Sequence, residues 1–110
     1  MNYNLEERTR IFSKEIIRFL VKIKKNRINE NIISQLIRSA TSVGANYFSN
    51  KIFICRKEIQ ETKYWVELLA EASPEEKDNL KKLWKEAHEL TLIFNKISKT
   101  LKEKNLKLKN

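Results

Sequence analysis

One glycine, one proline, one cysteine and one histidine are spread over 110 residues. So little Gly and Pro leaves almost no turn material for a sheet protein, and helices with short connections are the remaining architecture. A single glycine also cannot build the phosphate cradle of a nucleotide-binding loop. The lone Cys55 has no partner for an internal disulfide, and the opening Met1-Asn2-Tyr3-Asn4 lacks the apolar run of a signal peptide, so a cytoplasmic location is expected. Lys, Arg or Glu interrupts every hydrophobic run before it approaches the roughly 20 residues of a membrane span, which excludes an integral membrane protein. His, Cys and carboxylates do not cluster at metal-ligand spacing, so neither a metal nor another cofactor is expected.

What is present is charge and helical periodicity. The chain fits one domain spanning 1–110, with 41% hydrophobic and 34% charged residues and a formal net charge of +9. Leu5, Phe12, Ile16, Phe19, Leu20 and Ile23 recur at helical spacing, and Asn4 with Glu7 resembles a capping box, so a first helix is predicted from about Leu5 to Lys25. Asn26 to Glu30 breaks the pattern, with Asn29 available as a cap. A second stripe then follows through Ile32, Ile33, Leu36, Ile37, Ala40 and Val43. Its end, Ser39 to Asn46, is built of small residues that let helix backbones approach closely, and Gly44 there costs roughly 1 kcal/mol relative to Ala unless packing compensates.

Ile52, Cys55, Ile59, Thr62, Val66 and Leu69 predict a third helix, whose buried face Tyr64, Trp65 and Leu68 widen. Ser73-Pro74-Glu75-Glu76 reads as a turn, with Ser as cap and Pro in the first helical position. The fourth stripe runs from Leu80 to Leu101, and residues 105–110 are expected to fray as a basic tail. Four amphipathic helices with short connections predict an all-α, antiparallel up-and-down four-helix bundle. Between helices 2 and 3 only Phe48-Ser49-Asn50-Lys51 is available as a turn, so fusion into one long helix is the alternative, with exposed core surface and domain swapping as its consequence.

Three blocks carry a family resemblance: Leu5-Glu6-Glu7-Arg8-Thr9, the stretch from Gln35 to Asn46 (Gln-Leu-Ile-Arg-Ser-Ala-Thr-Ser-Val-Gly-Ala-Asn), and Cys55-Arg56-Lys57-Glu58 followed by Glu61-Thr62-Lys63-Tyr64-Trp65. Over roughly positions 3 to 95 the chain resembles the four-helix-bundle proteins encoded in 23S ribosomal RNA intervening sequences. Arg38, Ser39, Gly44, Asn46, Tyr64 and Trp65 fall on the shared motifs. The resemblance implies a bacterial four-helix bundle similar to the accessory protein of diversity-generating retroelements, often assembled as a homopentamer. The chain departs from the family where Tyr47-Phe48 passes almost directly to Ile52-Phe53-Ile54-Cys55. The family's segment there is longer by about three helical turns, a length that preserves helix phase. Its loss shortens helices 2 and 3 or fuses them.

The positive charge is concentrated at the two ends of the sequence. Residues 1–27 and 96–110 each carry a net +5, and the stretch between them sums to −1. Lys14, Arg18, Lys22 and Lys25 recur every three or four residues and form one ridge opposite the apolar stripe of helix 1, fit to track phosphates without reading bases. Lys99, Lys102, Lys104, Lys107 and Lys109 form a second cationic segment that can order on RNA. The plain alternative for both is a solvated helix face.

A ribonuclease built on an Arg and a nearby His finds no Arg close to His88, only Lys82 and Lys85. Cys55 lies on a stripe expected to be buried, where a thiol is inert. Arg38 is placed to pair with glutamates of helix 3, among them Glu58, Glu61, Glu67 and Glu71. Tyr64 and Trp65 read as core or subunit-contact residues. The expected function is therefore a non-catalytic, homo-oligomeric accessory protein that binds structured RNA or DNA and no small-molecule substrate. The alternatives are a protein–protein assembly module and a vestigial mobile-element protein.

Overall fold

A computed structural model describes the backbone of residues 4–109 and the side chains of residues 4–107. Four helices, α1 (Leu5–Lys22), α2 (Asn29–Phe48), α3 (Ile52–Ala72) and α4 (Lys77–Lys109), are joined by short connections. The last of these contains one 3₁₀ turn, Pro74–Glu76. The chain is an all-α four-helix bundle. Cross-contacts such as Thr9 with Gly44, Arg38 with Glu58, and Lys63 with His88 fix neighbouring helices as antiparallel.

The apolar stripes meet in one core. Phe12 and Ile16 of α1, Leu36, Ala40 and Val43 of α2, Cys55, Ile59 and Leu69 of α3, and Ala87, Leu90 and Phe94 of α4 are all fully buried. Each large side chain among them contributes about 1.5–3 kcal/mol. α3 packs along both α2 and α4, whereas the α1–α4 edge is the sparsest. Arg8 clips that edge by hydrogen-bonding Glu86 at 2.7 Å and Glu89 at 2.5 Å. Those carboxylates raise the pKa of the Arg8 guanidinium, the Glu86 hydrogen bond most.

The connections differ from expectation in instructive ways. α1 begins as predicted, with the side-chain Oδ1 of Asn4 accepting from the Glu7 amide at 2.8 Å. It ends at Lys22, before the expected Lys25, because Ile23 turns extended and is itself buried. Asn29 is the first residue of α2, and Asn26 closes the turn that leads into it, its Oδ1 accepting from the amides of Ile28 and Asn29 at 2.9 Å each. Asn29 is fully buried instead, and its Nδ2 donates to the Lys24 carbonyl at 3.0 Å and to Ser73 Oγ at 2.9 Å. Ser73, expected to cap the fourth helix, makes no such bond with its side chain. It anchors the α3–α4 turn to the α1–α2 turn.

α2 and α3 are separate helices joined by a turn. Asn50 adopts φ 59, the left-handed conformation that asparagine tolerates better than most residues. The amide of Asn50 then donates to Tyr47 O at 2.9 Å, and that of Lys51 to Asn46 O at 2.8 Å, closing α2 without glycine or proline. At the other end, α4 remains helical to Lys109 through the stretch expected to fray. At 1.5 Å per residue its 33 residues span about 50 Å, matching the 54 Å long axis of the molecule. Arg56 meets Asn95 across the α3–α4 seam, so the last two to three turns of α4 run past the start of α3.

Candidate nucleic-acid interface

Lys14, Arg18 and Lys22 are exposed on the face of α1 turned away from Phe12, Ile16 and Leu20, and join none of the ion pairs among the described residues. Lys25 is exposed too, but lies beyond the end of α1 in the connection to α2, so the helical ridge is three residues long. Ile17 and Val21, 42% and 71% exposed, stand beside it and make that face part apolar.

Lys99, Lys102, Lys104 and Lys107 are exposed along the last turns of α4, Lys99 and Lys102 still beside the start of α3; the side chain of Lys109 lies outside the described residues. The two cationic segments do not meet. The end of α1 shares one pole of the bundle with the Asn29–Ser73 bridge, while the end of α4 shares the opposite pole with the α2–α3 turn.

Sequence reasoning missed the aromatic residues at that second pole. Phe48 is 77% exposed and Phe53 45%, on either side of the α2–α3 turn, with Lys51 exposed between them. Lys102 Nζ sits 5.8 Å from the centre of the Phe53 ring, a cation–π contact that draws α4 to the turn. The signal was their position. Phe48 and Phe53 fall off the apolar stripes and flank the α2–α3 turn.

The residues that carry the resemblance have structural roles. Arg38 pairs with Glu58 at 3.1 Å and with Glu61, whose carboxylate also accepts from Trp65 Nε1 at 3.2 Å. Of the other two glutamates, Glu67 accepts from Trp84 Nε1 instead. Ser39 is buried, and its Oγ accepts from Thr62 Oγ1 at 3.0 Å, so small residues do bring α2 and α3 together there. Gly44 is looser: a Cβ placed on it would meet Thr9 Oγ1 at 3.5 Å, an ordinary contact, so the α1–α2 packing does not demand glycine. Asn46 Nδ2 donates within its own helix to Ser42. Trp65 packs against the core, whereas Tyr64 is about half exposed and touches Trp65 edge-on at 5.0 Å.

His88 stacks on Trp84 at 5.0 Å and its Nδ1 accepts from Lys63 Nζ at 2.9 Å, the arrangement of a seam residue between α3 and α4. Cys55 is fully buried with Sγ 3.3 Å from the Val43 carbonyl, and burial pushes its thiol pKa up to about 11. A thiol so placed is neutral at physiological pH and a poor nucleophile. Among the described residues no group of three or more His, Cys, Asp or Glu could hold a metal ion, and no helix is long and apolar enough to cross a membrane.

No protein-family model, curated protein or solved structure matches this chain.

Proposed function

We propose that this chain is a non-catalytic, homo-oligomeric accessory protein that associates with RNA, and that the main contact lies at the pole where α4 passes the α2–α3 turn. The observation that carries the reading is the coincidence there of Lys99, Lys102, Lys104 and Lys107 with the exposed rings of Phe48 and Phe53. Cations tracking phosphates beside aromatic faces that accept stacked bases are the usual composition of a single-strand contact. The ridge of Lys14, Arg18 and Lys22 is a second, weaker contact at the far pole. The resemblance to the intervening-sequence proteins supports a bacterial cytoplasmic setting and assembly into a homopentamer.

The test is binding of the purified chain to labelled single-stranded RNA, structured RNA and duplex DNA across a salt series, with the solution mass measured on the same sample. Salt-sensitive binding by an oligomer supports the reading; no binding at low salt contradicts it. A specific observation favours a protein–protein assembly module as second reading: Ile17, Val21 and Ile28 are exposed by 42%, 71% and 75% beside the α1 ridge. Association through that face would persist at high salt, where phosphate contacts weaken. A vestigial chain, the third possibility, is set aside by a sharp two-state melt.

A further inference from the structure

The geometry points to a phosphate-binding site in the groove where α4 leaves α3, with Ser98 as its hydroxyl donor and Arg56 as its principal cation. The groove, about 210 Å³, is lined by Arg56 of α3 and by Asn95, Ser98, Lys99, Lys102, Glu103 and the apolar Leu106 of α4. The site deepens the RNA reading by naming the group held at that pole.

Ser98 is only 2% exposed, and its Oγ is the one buried side-chain polar atom among the described residues without a hydrogen-bond partner. Hydroxyl residues inside a helix ordinarily donate to the carbonyl one turn back. Thr91 does so to Ala87 at 2.8 Å and Thr100 to Lys96 at 3.0 Å on this same helix, whereas Ser98 makes no such bond. A buried donor without an acceptor is costly, and an acceptor arriving with a ligand removes that cost.

The surroundings specify an anion. Arg56 is partly buried and oriented by its Nε, which donates to Asn95 Oδ1 at 2.7 Å, while its two terminal nitrogens have no partner among the described residues. A guanidinium fixed in this way presents a fork that matches two phosphate oxygens. Lys99 and Lys102 add charge at the rim, and Glu103 subtracts from it, leaving a net +2 on the lining residues. That balance suits a phosphate group and disfavours a neutral ligand.

The experiment uses the full chain labelled with ¹⁵N and titrated at constant ionic strength with inorganic phosphate, then with a short RNA bearing a 5′-phosphate or a 5′-hydroxyl. Phosphate should give a saturable shift of the Arg56 Nε–H and of the amides around Ser98. Ser98→Ala and Arg56→Gln should each weaken it about tenfold, the measure of one hydrogen bond to a charged group. Ser98→Ala should melt no lower than the parent, since it removes an unsatisfied donor, so lost binding cannot be put down to lost folding. Shifts spread evenly over the exposed lysines, or undiminished binding by Ser98→Ala, would overturn the site.

The RNA arms separate the sources. A response to the 5′-phosphate RNA alone assigns a terminal phosphate, and an equal response to both assigns the backbone. Phosphate bound at the groove with no binding of either RNA sustains the site and overturns the RNA reading. RNA binding that leaves Arg56 and Ser98 unmoved does the reverse.

Discussion

Asn29→Ala tests how the two turns at one pole are held together. Asn29 is fully buried; its Oδ1 accepts from the Asn26 amide at 2.8 Å, and its Nδ2 donates to the Lys24 carbonyl and Ser73 Oγ. Lys24 and Asn26 are exposed and recover water as a partner, so each of those losses costs only about 0.5–1 kcal/mol. Ser73 is fully buried and has no such recourse, and its stranded hydroxyl costs about 1–3 kcal/mol. The expected destabilisation is therefore about 3 kcal/mol, a large part of the stability of a domain this size. Urea unfolding of the parent, Asn29→Ala, Ser73→Ala and the double variant measures it. The double variant should recover about 1–2 kcal/mol of the sum, because removing both partners leaves neither stranded. Additive single effects, or a cost for Asn29→Ala under about 1 kcal/mol, would refute the argument.

Gly44→Ala should raise stability by about 1 kcal/mol in the same assay, since the new methyl meets Thr9 only at ordinary contact distance and the helix gains propensity; a loss would show tighter α1–α2 packing than described. Asn50→Ala should lower stability by about 1 kcal/mol because alanine resists the left-handed φ of 59, while Asn50→Gly should not. Size-exclusion chromatography of Asn50→Ala should also reveal more domain-swapped dimer, as the penalised turn straightens into a continuous helix. Because the Cys55 thiol pKa is raised from 9.0 to about 11, the unfolded chain releases its proton first. Cys55 therefore contributes full stability below pH 9 and loses about 3 kcal/mol as pH rises to 11. Denaturant titrations of Cys55→Ala across that window should show a correspondingly flatter pH dependence than the parent.

The fold was readable because the apolar residues recur at 3.6-residue spacing in all four helices, and Phe12, Ile16, Leu36, Ile59, Leu90 and Phe94 are buried as that spacing requires. Asn4 was readable as a cap because its partner, Glu7, is three residues away. Asn29 and Ser73 were misread because each sits where a local cap belongs, and their bond to each other, 44 residues apart, exists only once the helices pair. The Asn50 turn escaped because asparagine enters the left-handed region less often than glycine, so the sequence left turn and fusion open. The described cations of both segments are exposed, though Lys25 lies off the α1 ridge, and a linear reading could not tell that the two segments occupy opposite poles. Nor could it tell that one of them shares its pole with Phe48 and Phe53.

The most direct test of the RNA contact is the salt dependence of RNA binding for two charge-removal variants compared with the parent. One replaces Lys99, Lys102, Lys104 and Lys107 by Ser, the other Lys14, Arg18, Lys22 and Lys25. The α4 variant should lose most of its affinity, and its slope of log K against log salt should fall by about 3, at roughly 0.7 per phosphate contact on a single strand. The α1 variant should bind nearly as the parent does, with its melt intact. Binding abolished by the α1 substitutions and untouched by those in α4 would contradict the assignment of the interface, and a salt slope near zero for the parent would contradict nucleic-acid binding altogether.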